Sequence, residues 1–217
     1  MKLLLFSDLH CDTEAAGRLV EKSVAADVLI GAGDFGQCRQ RIEKVVDVLR
    51  TIDRPAVVVP GNAESVEELT EVCLPWITAH VLHGKGVTIS GVPFFGIGGG
   101  IPVTPFGSWS YDFTEDEAAE LLRDCPANAV LVSHSPPMAP LTSTPAVPVL
   151  AAARSVTRFW KNRLSWWCVD ISMPVGDSRK TWAKRQSSTL DLEALNGLLT
   201  VVFSAKVATT SVAAHQS

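Results

Sequence analysis

Five side chains that can bind metal ions each follow a short apolar segment of the sequence. Asp8 and His10 follow residues 3–6, Asp34 follows residues 28–30, Asn62 follows residues 56–59, and His134 follows residues 129–132. Short apolar runs rich in Val, Ile and Leu are typical of buried strands in α/β sheets. Such sheets bind their ligands at the carboxyl ends of the strands. The pattern therefore predicts that these five donors converge on one site.

Each donor has a simpler interpretation when it is considered alone. Asp8 could cap a helix, and Asp34, beside Gly33, could be a turn residue. Considered together, the residues favour a metal site, because several potential ligands at one edge are what a metal requires. Nitrogen and oxygen donors in one set suit Mn, Fe, Zn or Co better than Ca, so the identity of the metal stays open.

The segments around these residues predict an α/β fold in which strands and helices alternate over residues 2–137. Helices are expected over residues 13–25, 40–49, 65–73 and 114–122, and a further strand over residues 91–97. The Gly96–Gly100 run contains a GxG pattern, but Pro102 and Pro105 prevent a helix from following it. A loop bordering the cleft is favoured over a nucleotide site there. His80 and His83 are expected to be structural or surface residues.

Composition narrows the classes of function. The 217 residues carry a net charge of -4, which argues against a nucleic acid as a stable partner. Five cysteines without CxxC pairs suit a reducing compartment. We find neither a signal-peptide core nor an apolar run long enough for a membrane, so a cytoplasmic location is expected.

The short sequences that contain the five donors resemble the conserved blocks of the calcineurin-like metallophosphoesterases. Those blocks are D-x-H, G-D, G-N-H-[DE], a lone His and G-H-x-H. Asp8-Leu9-His10, Gly33-Asp34, Gly61-Asn62-Ala63-Glu64 and His134 match the first four in order. The resemblance implies an αββα sandwich, incomplete at its C-terminus, with a catalytic core over residues 1–137.

The resemblance also implies a chemistry. The family hydrolyses phosphodiesters or phosphomonoesters with a metal-bridged hydroxide held by two divalent metal ions. Asp34 would bridge the two ions, Asp8 and His10 would bind the first, and Asn62 and His134 would bind the second. Asp34, Asn62 and His134 are the implied catalytic residues, and a small phosphate ester is the implied substrate.

Two departures from the family pattern bear on activity. Ala63 replaces a His that can protonate the leaving group, so esters with acidic leaving groups, such as aryl phosphodiesters, should be preferred. The G-H-x-H block is absent, which would leave each metal site one ligand short. The competing hypothesis is therefore an impaired or inactive homologue that binds a metal or another ligand. Glu64 could orient Asn62 or be an exposed acid at a helix start.

Residues 138–217 differ in character from the rest of the chain. They contain 9 Lys and Arg against 4 Asp and Glu, whereas residues 1–137 contain 10 against 19, and they hold four of the six Trp. Read one base earlier, the codons of residues 166–173 permit Val-Val-Cys-Gly-His-Ile-His, which contains the missing block. We hypothesise a single-base frame change near residues 136–139, in the gene or its recorded sequence, that leaves residues 138–217 poorly packed.

Overall fold

The computed structural model describes residues 1–126 and 129–135, and the backbones of three later strands. Apart from those strands, the predicted atypical segment 138–217 lies outside the described residues. The strands are β1 Leu3–Phe6, β2 Val28–Ala32, β3 Ala56–Val59, β4 Ala79–Val81, β5 Lys85–Ile89, β6 Val92–Ile97, β7 Val130–Ser133, β8 Trp166–Ser172, β9 Leu198–Ser204 and β10 Ala208–Thr209. The helices are α1 Thr13–Ser23, α2 Ile42–Leu49, α3 Val66–Cys73 and α4 Glu115–Leu121.

The strands form two five-stranded sheets. The first has the order β10-β1-β2-β3-β4, in which β1 to β4 are parallel and β10 is antiparallel to β1. The second has the order β5-β6-β7-β9-β8, with only β5 antiparallel to its neighbour. The helical connections between β1, β2 and β3 follow from their parallel pairing, since parallel strands need a crossover.

Side chains that alternate between the two faces of each strand produce four layers, which are helices, the first sheet, the second sheet and helix α4. Leu3 and Leu5 of β1 face the second sheet and pack with residues such as Phe94 and Val130. Leu4 and its outward neighbours pack against α1, α2 and α3. The outer face of the second sheet packs against α4. This arrangement confirms the predicted αββα sandwich, and the period of two along each strand explains it.

The predicted helices are present, and side-chain caps fix where α1, α3 and α4 begin. The helix predicted over residues 40–49 begins only at Ile42, because Arg41 has a left-handed φ of 61°. Ser65 and Thr114 each form a capping box, with Glu68 and Glu117 respectively. Asp12, not Asp8, caps α1 by accepting a hydrogen bond from the Ala15 backbone nitrogen. The alternative interpretation of Asp8 as a helix cap is therefore wrong. Among the described residues, no helix has the length and apolar character that crossing a membrane requires.

Candidate metal centre

The loops that follow β1 and β2 run side by side and carry three of the predicted ligands. The Asp8 backbone nitrogen donates to the Gly33 carbonyl at 2.9 Å, and the His10 nitrogen donates to the Asp34 carbonyl at 2.9 Å. Asp8, His10 and Asp34 have φ angles of 54°, 44° and 58°. Residues other than glycine seldom adopt this left-handed conformation, and it is concentrated at functional sites. The two loops thus direct three donors to one point.

Two glycines allow the loops after β2 and β3 to approach each other. A Cβ atom on Gly33, whose φ is +93°, would lie 2.5 Å from the Gly61 Cα and 2.7 Å from His134 Nδ1. A Cβ on Gly61 would overlap the backbone nitrogen and Oδ1 of Asp34. The glycines of the G-D and G-N fragments are therefore required by close packing beneath the ligands.

Both candidate histidines are oriented by a backbone carbonyl. His10 Nδ1 lies 3.3 Å from the Gly36 oxygen, and His134 Nδ1 lies 2.7 Å from the Ala32 oxygen. Because a carbonyl only accepts, each Nδ1 carries a proton, and in the neutral ring Nε2 is the nitrogen whose lone pair can bind a metal. A second partner of this kind is usual for metal-binding histidines.

Asp34 lies between the two histidines. Its Oδ2 is 3.7 Å from His10 Nε2, and its Oδ1 is 3.7 Å from His134 Nε2. On one side, ligand atoms of Asp8, His10 and Asp34 all lie within 4.8 Å of one another. On the other, His134 Nε2 is 3.4 Å from Asn62 Oδ1. The structure therefore brings all five predicted residues together as two adjacent donor groups that share Asp34.

The donors come from both sheets. The sequence pattern alone did not distinguish this arrangement from one in which all the strands belong to a single sheet. Asp8, Asp34 and Asn62 follow strands of the first sheet, whereas His134 follows β7 of the second. The centre thus lies where the carboxyl ends of the two sheets meet. It is more open at His10, whose side chain is 47% exposed, than at His134, at 12%.

Glu64 connects the loop that follows β2 to the loop that follows β3. Its side chain is fully buried, with 0% exposure, and it accepts hydrogen bonds from the backbone nitrogens of Asp34, Gly36 and Gly61. The alternative of an exposed helix-start acid is therefore wrong. The three bonds provide donors that a buried carboxylate needs.

The centre has an excess of negative charge. Burial, together with the Asp34 charge, raises the pKa of Glu64 to about 7, against the effect of its backbone donors. Burial lowers the pKa of His134, but the charges of Asp34 and Asp8, the hydrogen bond to the Ala32 carbonyl and the Glu64 charge together raise it above its ordinary value. The site thus attracts positive charge to the position where a cation would bind, and the donor set fits a divalent metal.

Sequence reasoning missed the residues that surround Asn62. Its side-chain nitrogen donates to Ser110 Oγ at 3.0 Å, and its backbone carbonyl accepts from the Tyr111 backbone nitrogen at 2.9 Å. Ser110 in turn donates to Asp112 Oδ1 at 2.7 Å. These residues follow no strand and form no motif, so no local signal could have identified them.

The residue at position 63 supplies no acid. Ala63 is 3% exposed, and its backbone nitrogen donates to Asp34 Oδ1 at 3.0 Å. Its carbonyl accepts from the Arg39 backbone nitrogen at 2.7 Å. Ala63 thus contributes backbone contacts to the centre and no proton donor from its side chain.

The glycine run after β6 uses its backbone donors internally. The nitrogens of Gly98, Gly99 and Gly100 donate to His83 Nδ1, the Pro60 carbonyl and the Tyr111 carbonyl. The segment borders the centre, as expected. Because these three backbone N–H groups already form hydrogen bonds within the protein, they do not support the alternative of a nucleotide site. His83 has the structural role that was expected of it.

Comparisons with known proteins agree with this geometry. A family model described as the calcineurin-like phosphoesterase superfamily domain matches residues 1–153. No curated protein matches the chain. The solved structure of TT1561 from Thermus thermophilus is similar, with a TM-score of 0.62 and 18% identity over 78% of this chain and 80% of that one. A second solved structure has a TM-score of 0.59 and 16% identity over 74% and 79%. At these identities the structures support the fold alone.

Proposed function

The chain belongs to the calcineurin-like phosphoesterase superfamily, and we propose that it hydrolyses a phosphodiester or phosphomonoester with two divalent cations. Members of this superfamily are generally metal-dependent hydrolases of phosphate esters. The proposal depends above all on Asp34, whose two oxygens face His10 and His134 at equal distances of 3.7 Å. A carboxylate placed in this way can contact two cations at once.

The proposed ligands divide between two positions. Asp8, His10 and Asp34 would hold one cation, and Asp34, Asn62 and His134 would hold the other. Two bound divalent cations would polarise a phosphoryl oxygen and lower the pKa of a water molecule. The metal stays open among Mn, Fe, Zn and Co, which accept imidazole, amide and carboxylate ligands together.

The protein's own groups have defined parts in this proposal. The Gly36 and Ala32 carbonyls hold the Nδ1 atoms of His10 and His134 and so direct the Nε2 atoms inward. The Ala63 backbone N–H holds Asp34 Oδ1 in place. Asp34, Asn62 and His134 are the proposed catalytic residues, because they would bind the cations that activate the water and the phosphoryl group.

The leaving group defines the finer substrate class. Loss of a general acid typically costs ~10² to 10⁴ in rate, and the side chain of Ala63 cannot donate a proton. Esters whose leaving oxygen is already a good leaving group, such as aryl phosphodiesters, would be affected least. We therefore infer a preference for aryl esters over alkyl esters.

A second candidate is a catalytically impaired homologue that binds a metal or another ligand. It is favoured by the absence of a G-H-x-H block from the sequence. The five donors of the proposed centre give each cation three protein ligands when Asp34 is shared. A protein of this kind would bind metal without turning over phosphate esters.

Hydrolysis of bis(4-nitrophenyl) phosphate with and without added Mn²⁺ tests the proposal, together with metal content by mass spectrometry. Activity that requires metal and is abolished in Asp34→Asn is the expected result. Asp116→Asn, in the first turn of α4, is the matched control and should retain activity. Metal binding without hydrolysis would favour the second candidate, and activity that survives Asp34→Asn would overturn the proposal.

A further inference from the structure

We infer that Ser110 and Asp112 are positioning residues that fix which end of the Asn62 amide faces the metal centre. The inference rests on the proposed function, in which the Asn62 carbonyl oxygen is a metal ligand. A carboxamide has an oxygen and a nitrogen of similar size, and only the oxygen can bind a cation. A rotation of 180° about the last bond of the side chain would therefore replace the ligand with a donor.

The hydrogen-bond directions determine the orientation. The Ser110 hydroxyl carries one hydrogen, and it donates that hydrogen to Asp112 Oδ1 at 2.7 Å. Ser110 Oγ can then only accept from Asn62, which lies 3.0 Å away. The nitrogen of the amide must therefore face Ser110, and the oxygen faces His134 Nε2 at 3.4 Å.

Asp112 is itself held in place. Its Oδ2 accepts from the Thr104 backbone nitrogen at 2.9 Å and from the Thr104 hydroxyl at 2.7 Å. Thr104 Oγ1 also lies 3.1 Å from Ser110 Oγ. The Asp112 carboxylate, an acceptor with no hydrogen to give, thus directs both hydroxyl groups.

The segment that carries these residues, 101–112, is anchored to the loops of both Asn62 and His134. The Tyr111 backbone nitrogen donates to the backbone carbonyl of Asn62 at 2.9 Å. At the other end, the Ile101 nitrogen donates at 2.8 Å to Oγ of Ser135, the residue after His134. Segment 101–112 therefore holds Asn62 relative to His134, the other ligand of the same proposed cation.

Outer partners of metal ligands typically contribute 10- to 100-fold to metal affinity. We expect Ser110→Ala to weaken binding of one Mn²⁺ ion by ~10- to 100-fold and to leave the other unchanged. Ser110→Thr keeps the hydroxyl and should restore tight binding. Ser108→Ala is the matched control, because it makes the same substitution at an exposed position of the same segment. Isothermal titration calorimetry with Mn²⁺ measures these affinities.

A measurement on the metal-free protein separates this inference from the proposed function. The side-chain NH₂ signals of Asn62 in a ¹⁵N-labelled full chain are identified by their loss in Asn62→Asp. They should shift in Ser110→Ala and stay in place in Ser110→Thr and Ser108→Ala. Unchanged Asn62 signals in Ser110→Ala, or two Mn²⁺ affinities equal to those of the wild type, would overturn the inference. Wild-type protein that binds none of Mn²⁺, Fe²⁺, Zn²⁺ and Co²⁺ would overturn the proposed function instead, and the NMR result would still decide the orientation.

Discussion

Glu64 Oε1 accepts the backbone N–H of Asp34 at 2.8 Å, across 30 residues of sequence. The same oxygen accepts the N–H of Gly61 at 2.8 Å, and the second oxygen accepts that of Gly36 at 3.1 Å. A single buried carboxylate therefore joins the loop that carries Asp34 to the loop that carries Asn62. The shape of the centre depends on it even though Glu64 itself is not a proposed ligand.

Glu64→Gln should destabilise the fold. The amide nitrogen cannot accept a hydrogen bond, so at least one buried backbone N–H loses its partner, at a cost of ~1–3 kcal/mol. Urea denaturation followed by circular dichroism measures the change in the free energy of unfolding. Glu71→Gln, an exposed acid on α3, is the control and should change stability little. Equal unfolding midpoints for the two variants would contradict this account of Glu64.

Ala63→His should alter the choice of substrate. A histidine at this position would restore a proton donor beside the centre, which is worth ~10² to 10⁴ in rate where the leaving group needs protonation. Alkyl phosphodiesters should therefore gain more than aryl phosphodiesters in kcat/KM. Ala63→Phe serves as the control for bulk at this buried position. A wild-type protein that hydrolyses alkyl and aryl esters equally well would contradict the premise.

His83 should make the fold sensitive to acid. Burial lowers its pKa to about 4, from an ordinary 6.5, although the Glu67 charge opposes the shift and Lys85 adds to it. The ring accepts the Gly98 N–H at 3.1 Å and lies 4.8 Å from the Phe113 ring. The hydrogen bond from Gly98 requires the neutral form of the imidazole, because a protonated Nδ1 cannot accept.

The direction in which stability changes with pH depends on whether the folded or the unfolded chain binds the proton. Between pH 6.5 and pH 4 the unfolded chain binds a proton that the folded His83 does not, so stability falls as the pH falls through this window. The decrease is ~3 kcal/mol for a shift of this size. His83→Gln, measured by urea denaturation at several pH values, should show a shallower decline than the wild type. His80→Gln is the control, and a slope in His83→Gln as steep as that of the wild type would count against the prediction.

The missing G-H-x-H block leads to a prediction about the reading frame. Ser133 of β7 pairs with Val202 of β9, which pairs with Asp170 of β8, and all three strands are parallel. The carboxyl end of β8 is thus at the sheet edge from which His134 extends. A Cys-Gly-His-Ile-His block encoded by the alternative frame of residues 166–173 would fall at that edge, where it could complete the centre.

A chain translated in that alternative frame beyond residue 137 should bind Mn²⁺ at least ~10-fold more tightly than the chain with the present sequence. Residues that only hold a metal ligand in place already change metal affinity by this factor, and the added histidines would be ligands themselves. Calorimetry and hydrolysis of an aryl phosphodiester compare the two proteins. Sequencing of the coding DNA tests the frame change directly. Equal metal affinity, or an intact frame with no alternative that contains these blocks, would remove support for the hypothesis.

Much of the fold could be predicted because its determinants are local. Periods of two and 3.6 in the apolar residues, with capping boxes at Ser65 and Thr114, define the strands and helices near their observed bounds. The five donors of the candidate centre could be located because each directly follows a strand. Ser110 and Asp112 could not, since their position beside Asn62 depends on the path of a loop that is distant in sequence. Glu64 could not be assigned either, because burial of a charged residue is decided by tertiary packing.

The contact between Gly33 and Gly61 limits how this protein can change over evolution. With no space for even a methyl group at either position, the distance between the two donor groups cannot be adjusted by substitution beneath them. Variation is easier at exposed positions of segment 101–112, such as Val103 and Phe106, which do not separate the loops that carry the donors. New substrate preferences in descendants of this chain should therefore arise from changes at the rim, while the metal-binding base stays the same.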